Sequence, residues 1–121
     1  MNLQQKYQRT AREIAARIRQ EGGDAVDAVI LYGSVARREA GKHSDIDLFV
    51  LTRRPSARRT LSKARSSVDL RHGTVSTLVF RTPQQFMRGL QAGSPFLRAV
   101  VEEGVILYDD GVFRRARQAV S

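Results

Sequence analysis

Residues 31–48 read LYGSVARREAGKHSDIDL, and the fold turns on how this run is divided. On its N-terminal side the apolar run Ala28-Val29-Ile30-Leu31 is too short for a helix, rich in strand formers and broken at Gly33-Ser34. A first, largely buried strand is therefore expected over Asp24 to Tyr32. Ten residues separate Gly33-Ser34 from Asp45, with a short helix expected from about Val35 to Glu39 and a break at Gly41. Asp45-Ile46-Asp47-Leu48-Phe49-Val50-Leu51 then alternates in its first half and is apolar in its second, which predicts a second strand with its acids at the entry end. Side chains along a strand point to alternate faces, so Asp45 and Asp47 share one face, roughly 6 to 7 Å apart, while Ile46, Leu48 and Val50 face the other way.

Outward from this centre, Leu3, Tyr7, Ala11, Ile14 and Ile18 fall at helical spacing, with arginines elsewhere on the wheel and Gly22-Gly23 as the stop. Pro55 opens a basic helix running to about Arg71, with Leu61, Ala64 and Val68 as its apolar stripe and Gly73 as its end. A third strand is expected from Thr74 to Arg81. Thr82-Pro83-Gln84-Gln85 has the form of an N-cap, a proline in the first turn and a Gln three residues after the cap. Ser94-Pro95 repeats the device before Phe96-Leu97-Arg98-Ala99-Val100-Val101, and Gly104 ends that helix. A last strand, Val105 to Tyr108, precedes Asp109-Asp110-Gly111 and a short basic tail. The order α-β-(short α)-β-α-β-α-α-β predicts an α/β (α+β) fold, a small mixed β-sheet with helices packed on it. Tyr108 and Phe113 read as core or interface packing.

The chain has 121 residues, with 21 Lys+Arg against 12 Asp+Glu, a formal charge of +9 and no cysteine. That length suits one domain over residues 1–121 and is too short for two large modules. Without cysteine there is no disulfide framework, thiolate zinc site or Cys nucleophile, and two isolated histidines, His43 and His72, make no imidazole cluster. Any metal would sit on oxygen. No apolar run approaches the roughly 20 residues that span a bilayer, and the N-terminus has no leader pattern, so no membrane partner is expected and the expected address is the cytoplasm. The positive charge favours polyanionic partners, whether nucleotide, nucleic acid or acidic protein. A solvated arginine-rich surface accounts for it equally well, and the basic helix with Arg58, Arg59 and Lys63 reads first as such a face.

Two acids on one strand face repel each other unless a cation sits between them. Mg²⁺ meets that need, since it takes one or two carboxylates together with substrate phosphate oxygens. Gly33 admits close backbone approach, Ser34 brings a hydroxyl, and the following short helix offers backbone N–H groups to phosphate. Arg37, Arg38 and Lys42 can neutralise further phosphate charge. Together these parts form a site for a metal-bound nucleoside triphosphate. The bland alternative for Asp45 and Asp47 is an edge-strand pair kept polar for solubility, and for Ser34 a helix cap.

The Gly-Ser, ten-residue, Asp-x-Asp pattern resembles the signature of the DNA polymerase β-like nucleotidyltransferase superfamily, and Tyr32-Gly33-Ser34-Val35-Ala36-Arg37 with Ser44-Asp45-Ile46-Asp47-Leu48 looks like its minimal nucleotidyltransferases. A weaker likeness extends through Thr82-Pro83-Gln84-Gln85-Phe86 and Ser94-Pro95-Phe96-Leu97 to Glu103-Gly104-Val105-Ile106-Leu107-Tyr108. The resemblance implies transfer of a nucleoside monophosphate, commonly AMP from ATP, to an acceptor hydroxyl with release of pyrophosphate. It implies that Gly33 and Ser34 hold the triphosphate, with Arg37 and Lys42 nearby, and that Asp45 and Asp47 bind two Mg²⁺ ions. Minimal members often act as antitoxins paired with a small helical HEPN-type ribonuclease toxin, and some adenylylate that toxin.

The sequence departs from the pattern in two places. The superfamily's third carboxylate usually lies on a neighbouring strand, yet Thr74 to Phe80 contains no acid, and Ser76 or Thr77 stands where one is expected. Asp69 is the nearest acid upstream and reads as a surface residue of the basic helix. The position after Arg37, often glycine in the family, is Arg38. Three outcomes stay open: catalysis with two acids, a base supplied by Asp69 or a partner, or a module that binds a partner protein without turnover.

Overall fold

The computed structural model describes residues 1–120. Among them are six helices and one four-stranded sheet: α1 (Leu3–Gly22), β1 (Val26–Tyr32), α2 (Gly33–Ala36), β2 (Ile46–Thr52), α3 (Arg58–His72), β3 (Ser76–Arg81), α4 (Pro83–Gln91), α5 (Pro95–Glu103), β4 (Val105–Asp109) and α6 (Val112–Val120). Single 3₁₀ turns at Gly23–Ala25 and Pro55–Ala57 lead into β1 and α3. The strand order is β3-β2-β1-β4, with β1 antiparallel to both β2 and β4 and β2 parallel to β3. The expected mixed sheet with packed helices is the observed one.

Strand alternation divides the core into two layers. Val29, Leu31, Ile46, Leu48 and Val50 meet Tyr7, Ala11, Ile14 and Ile18 of α1 and Leu61 and Val68 of α3 on one face. Ala28, Ile30, Phe49 and Leu51 meet Phe86 and Leu90 of α4, Leu97, Val100 and Val101 of α5, and Phe113 and Ala116 of α6 on the other. β2 is apolar toward both layers beyond Asp47 because helices cover it on both sides.

Local chemistry fixes the helix ends. Thr82 and Gln85 form a reciprocal capping box on α4, and the Ser94 hydroxyl accepts from the Leu97 N–H at 3.2 Å to start α5. α3 ends where Gly73 takes the left-handed conformation at φ 65°.

The expectations for the tail and for Asp69 need correction. The basic tail after Gly111 is helix α6, because the Asp109 carboxylate accepts from the Phe113 N–H at 3.1 Å and the Arg114 N–H at 3.0 Å, and Phe113 then stacks on Phe86 with centroids 5.8 Å apart. Arg117 of that helix donates to the Val101 and Gly104 carbonyls at 3.0 and 2.7 Å, closing the end of α5. Asp69 is buried rather than on the surface: it accepts from the Thr74 hydroxyl at 2.6 Å and from the Ser76 hydroxyl and N–H at 2.6 and 3.1 Å. These bonds seal the α3–β3 corner, where three polar groups would otherwise be buried without partners.

At the sheet end far from Asp47, β1 slips register between Val26 and Ala28, and Asp27 between them is buried against Arg53, whose Nη2 lies 2.5 Å from Oδ1. Burial pushes the Asp27 carboxyl up, with Arg53 pulling against it and Asp110 adding to it.

Candidate active site

The chain enters the site from β1. Tyr32, the last residue of that strand, pairs with Asp47 of β2, and Asp47 pairs in turn with Thr77 of β3. Three strands therefore bring Tyr32, Asp47 and Thr77 side by side on the face covered by α4 and α5. The Thr77 hydroxyl donates to Asp47 Oδ1 at 2.8 Å. β2 lies between β1 and β3, so Asp47 belongs to an interior strand and the edge-strand explanation for the acid pair fails. Asp45 lies one residue ahead of β2 rather than within it and is exposed, without a hydrogen bond or ion pair among the described residues.

Gly33 turns the chain at φ 77°, and a β-carbon built on it would overlap Asp47 Oδ2. Only glycine satisfies both conditions, the left-handed backbone and the close approach of a carboxylate. The backbone that follows the turn is thereby set against one oxygen of Asp47, while Thr77 holds the other. Ser34 is half-buried, and its hydroxyl has no partner among the described residues. Helix α2 is shorter and earlier than expected, four residues beginning at Gly33, so it carries little macrodipole.

The loop from Arg37 to Asp45 is held by α1, a contact with no signal in the spacing of motifs. Gln4 donates to the Val35 carbonyl at 2.7 Å and accepts from the Ala40 N–H at 3.3 Å, and the Tyr7 hydroxyl reaches the Lys42 carbonyl at 3.5 Å. Ser44 closes the turn by accepting from the Gly41 N–H at 2.8 Å. Arg38 takes φ 60°, the left-handed conformation that glycine adopts most easily, at the position where the sequence departs from the glycine pattern.

The cations are distributed unevenly. Arg37 is bridged between Glu39 and Glu103, each at 3.1 Å, and hydrogen bonds to Glu39 first and Glu103 second hold its guanidinium more firmly protonated than usual. Such exposed pairs are weak and can exchange for phosphate. Lys42 is exposed in the turn between α2 and β2. Arg81 occupies the same face of β3 as Thr77, four residues on, and its charge acts on the Tyr32 hydroxyl. That hydroxyl is pushed up by burial first and by Asp47 second, so it stays a neutral donor.

Among the described residues no group of three or more His, Cys, Asp or Glu side chains converges as a metal site. The donor set is two carboxylates, Asp45 and Asp47, which suits a hard oxygen-seeking cation completed by phosphate. The cradle at Gly33, sized to admit an Asp47 oxygen, fits the same role. Asp69 adds nothing: it is bonded to Thr74 and Ser76, and Ser76 pairs with Ile46, whose side chain belongs to the opposite layer.

The family described as polymerase beta, nucleotidyltransferase matches residues 12–111. No curated protein matches in sequence. Among solved structures, a chain from a toxin–antitoxin complex with AMP-PNP superposes with a TM-score of 0.59 at 20% identity, covering 90% of this chain and 85% of that one. A chain from the tri-AMPylated Shewanella oneidensis HEPN toxin in complex with MNT antitoxin gives 0.55 at 20% identity, covering 94% and 85%. A chain from the MntA–HepT toxin–antitoxin complex gives 0.52 at 18% identity, covering 93% and 85%. At these identities the likeness is one of fold. No helix among the described residues is long and apolar enough to cross a membrane.

Proposed function

The chain belongs to the polymerase beta nucleotidyltransferase family, and from that premise we propose that its residues 1–121 act as one minimal nucleotidyltransferase domain that transfers AMP from Mg·ATP to a protein hydroxyl, as the antitoxin partner of a HEPN-type toxin. The observation that carries the reading is the fit of Gly33 against Asp47: the turn after β1 is shaped around a carboxylate that Thr77 orients and Asp45 accompanies. The reading is supported by the solved neighbours, which are toxin–antitoxin complexes, one with AMP-PNP and one with an AMPylated toxin.

In this reading the Gly33 and Ser34 N–H groups and the Ser34 hydroxyl bind phosphate oxygens. Lys42, and Arg37 once released from Glu39 and Glu103, add positive charge. Asp45 and Asp47 would hold Mg²⁺, which when bound would neutralise the charge that builds on the phosphate oxygens. The acceptor oxygen forms a bond to the α-phosphorus as the bond to pyrophosphate breaks in line, and the hydroxyl proton leaves to solvent water, because no third carboxylate stands beside the pair. Asp45 and Asp47 are the carboxylates of the site, and Thr77 occupies the strand position beside them.

Thermal melting with and without ATP and Mg²⁺ tests the site. A ligand at about 100 times its Kd stabilises the native state by about 2.7 kcal/mol, so the wild type shows a rise in melting temperature that Asp45→Asn/Asp47→Asn lacks. An equal rise in both proteins refutes the site. The vacancy of the third-acid position favours one second reading, a module that binds the partner without turnover. It predicts partner binding unaffected by the double substitution and no transfer of label from ATP.

A further inference from the structure

Of the five phenylalanines, Phe96 is the most exposed, at 37%, whereas Phe80 is half-buried and Phe49, Phe86 and Phe113 are fully buried. It is not a loosely held side chain. Ser94 caps α5 and Pro95 fixes its first turn, while the next residue, Leu97, is inserted so tightly beside Gly89 that a β-carbon there would collide with it. The start of α5 is thus pinned, and Phe96 is presented outward from a rigid base. Its ring stands edge-on to Tyr32 at 5.5 Å and 83° and to Phe49 at 6.2 Å and 64°.

Those two contacts locate the ring relative to the site. Tyr32 is the β1 partner of Asp47, and Phe49 is two residues beyond Asp47 on the same face of β2. Phe96 therefore rests on two residues that neighbour Asp47, Tyr32 across the strands and Phe49 along β2, and part of its ring faces solvent. An aromatic ring supported from below and open on one side is a stacking platform.

We propose that Phe96 is the wall on which the nucleobase stacks when a nucleoside triphosphate occupies the site, an inference that rests on the nucleotide site described above. The α-phosphate links the nucleoside to the β- and γ-phosphates, so in this proposal a triphosphate held by Gly33, Ser34 and Asp47 extends its base along the face that Phe96 borders. Every base has a π-face, so the platform favours nucleosides over bare polyphosphate without choosing among bases.

Calorimetric titrations with Mg·ATP, Mg·GTP and Mg·tripolyphosphate against the wild type, Phe96→Ala, Phe96→Leu and Phe96→Tyr test this, with melting curves to establish that each variant folds. The Ala and Leu variants are expected to bind both nucleotides about tenfold more weakly while tripolyphosphate binding stays within about twofold, and Tyr restores nucleotide affinity. Unchanged ATP affinity in Phe96→Ala overturns the inference alone, as does equal weakening of ATP and tripolyphosphate. Unchanged ATP affinity with slower transfer to the acceptor would assign the ring to the acceptor instead. Wild-type protein that binds none of the three ligands overturns the underlying site as well.

Discussion

Gly33→Ala is expected to abolish the binding of Mg·ATP and to lower the melting temperature by about 4 °C or more, since a non-glycine residue in the left-handed region costs about 1 to 2 kcal/mol before any collision is counted. The added β-carbon would also overlap Asp47 Oδ2, so either the turn opens or the carboxylate rotates away from the Thr77 hydroxyl. Both movements separate the backbone proposed to bind phosphate from the oxygens proposed to bind metal. Gly73→Ala is the informative control: Gly73 has φ 65°, but its surroundings are empty within 4 Å, so only the backbone cost applies and ATP binding is retained. Combining Gly33→Ala with Asp47→Ala removes the collision and recovers part of the melting temperature while binding stays lost. If Gly33→Ala binds Mg·ATP with wild-type affinity in a calorimetric titration, the cradle at Asp47 is not where phosphate is held.

Thr77→Asp is expected to raise AMP transfer by about 10²-fold, the low end of what a positioned general base contributes. The parallel register sets residue 77 directly beside Asp47, and the Thr77 hydroxyl already reaches Asp47 Oδ1, so a carboxylate at this position joins the acid pair. Three acids without a cation repel, as like charges on adjacent strands do. The variant should therefore melt lower than the wild type in EDTA and recover when Mg²⁺ is added. Thr77→Asn, of nearly the same size but uncharged, should show neither the gain in rate nor the metal-dependent melting. Initial rates of label transfer and melting curves with EDTA or Mg²⁺ read out both effects. A Thr77→Asp protein whose transfer rate and metal response match the wild type would show that position 77 is not the place of the missing base.

Much of this geometry was legible in the order of residues, because it depends on local pattern. The break at Gly33-Ser34, the alternation from Asp45 to Leu48 and the proline-led starts of α4 and α5 each follow from backbone chemistry acting over a few residues. What stayed hidden depends on contacts between segments distant in the chain. Asp69 looks like one more polar residue on a basic helix until Thr74 and Ser76 fold back onto it. Arg37 looks free until α5 brings Glu103, 66 residues away, to its guanidinium. The tail beyond Gly111 lacks an obvious helical signal, yet Asp109 at the end of β4 caps it, and the buried layer around Phe86 gives Phe113 a place to pack. Phe96 carried no mark of function in the sequence, because its place against Tyr32 and Phe49 follows from where α5 packs on the sheet.

The most direct measurement is transfer of label from α-labelled ATP, in the presence of Mg²⁺, to a HEPN-type helical partner protein, compared between the wild type and Asp45→Asn/Asp47→Asn. A labelled partner is expected with the wild type and none with the double variant, with pyrophosphate released in step with labelling. An unlabelled partner with the wild type, or equal labelling by both proteins, would contradict it.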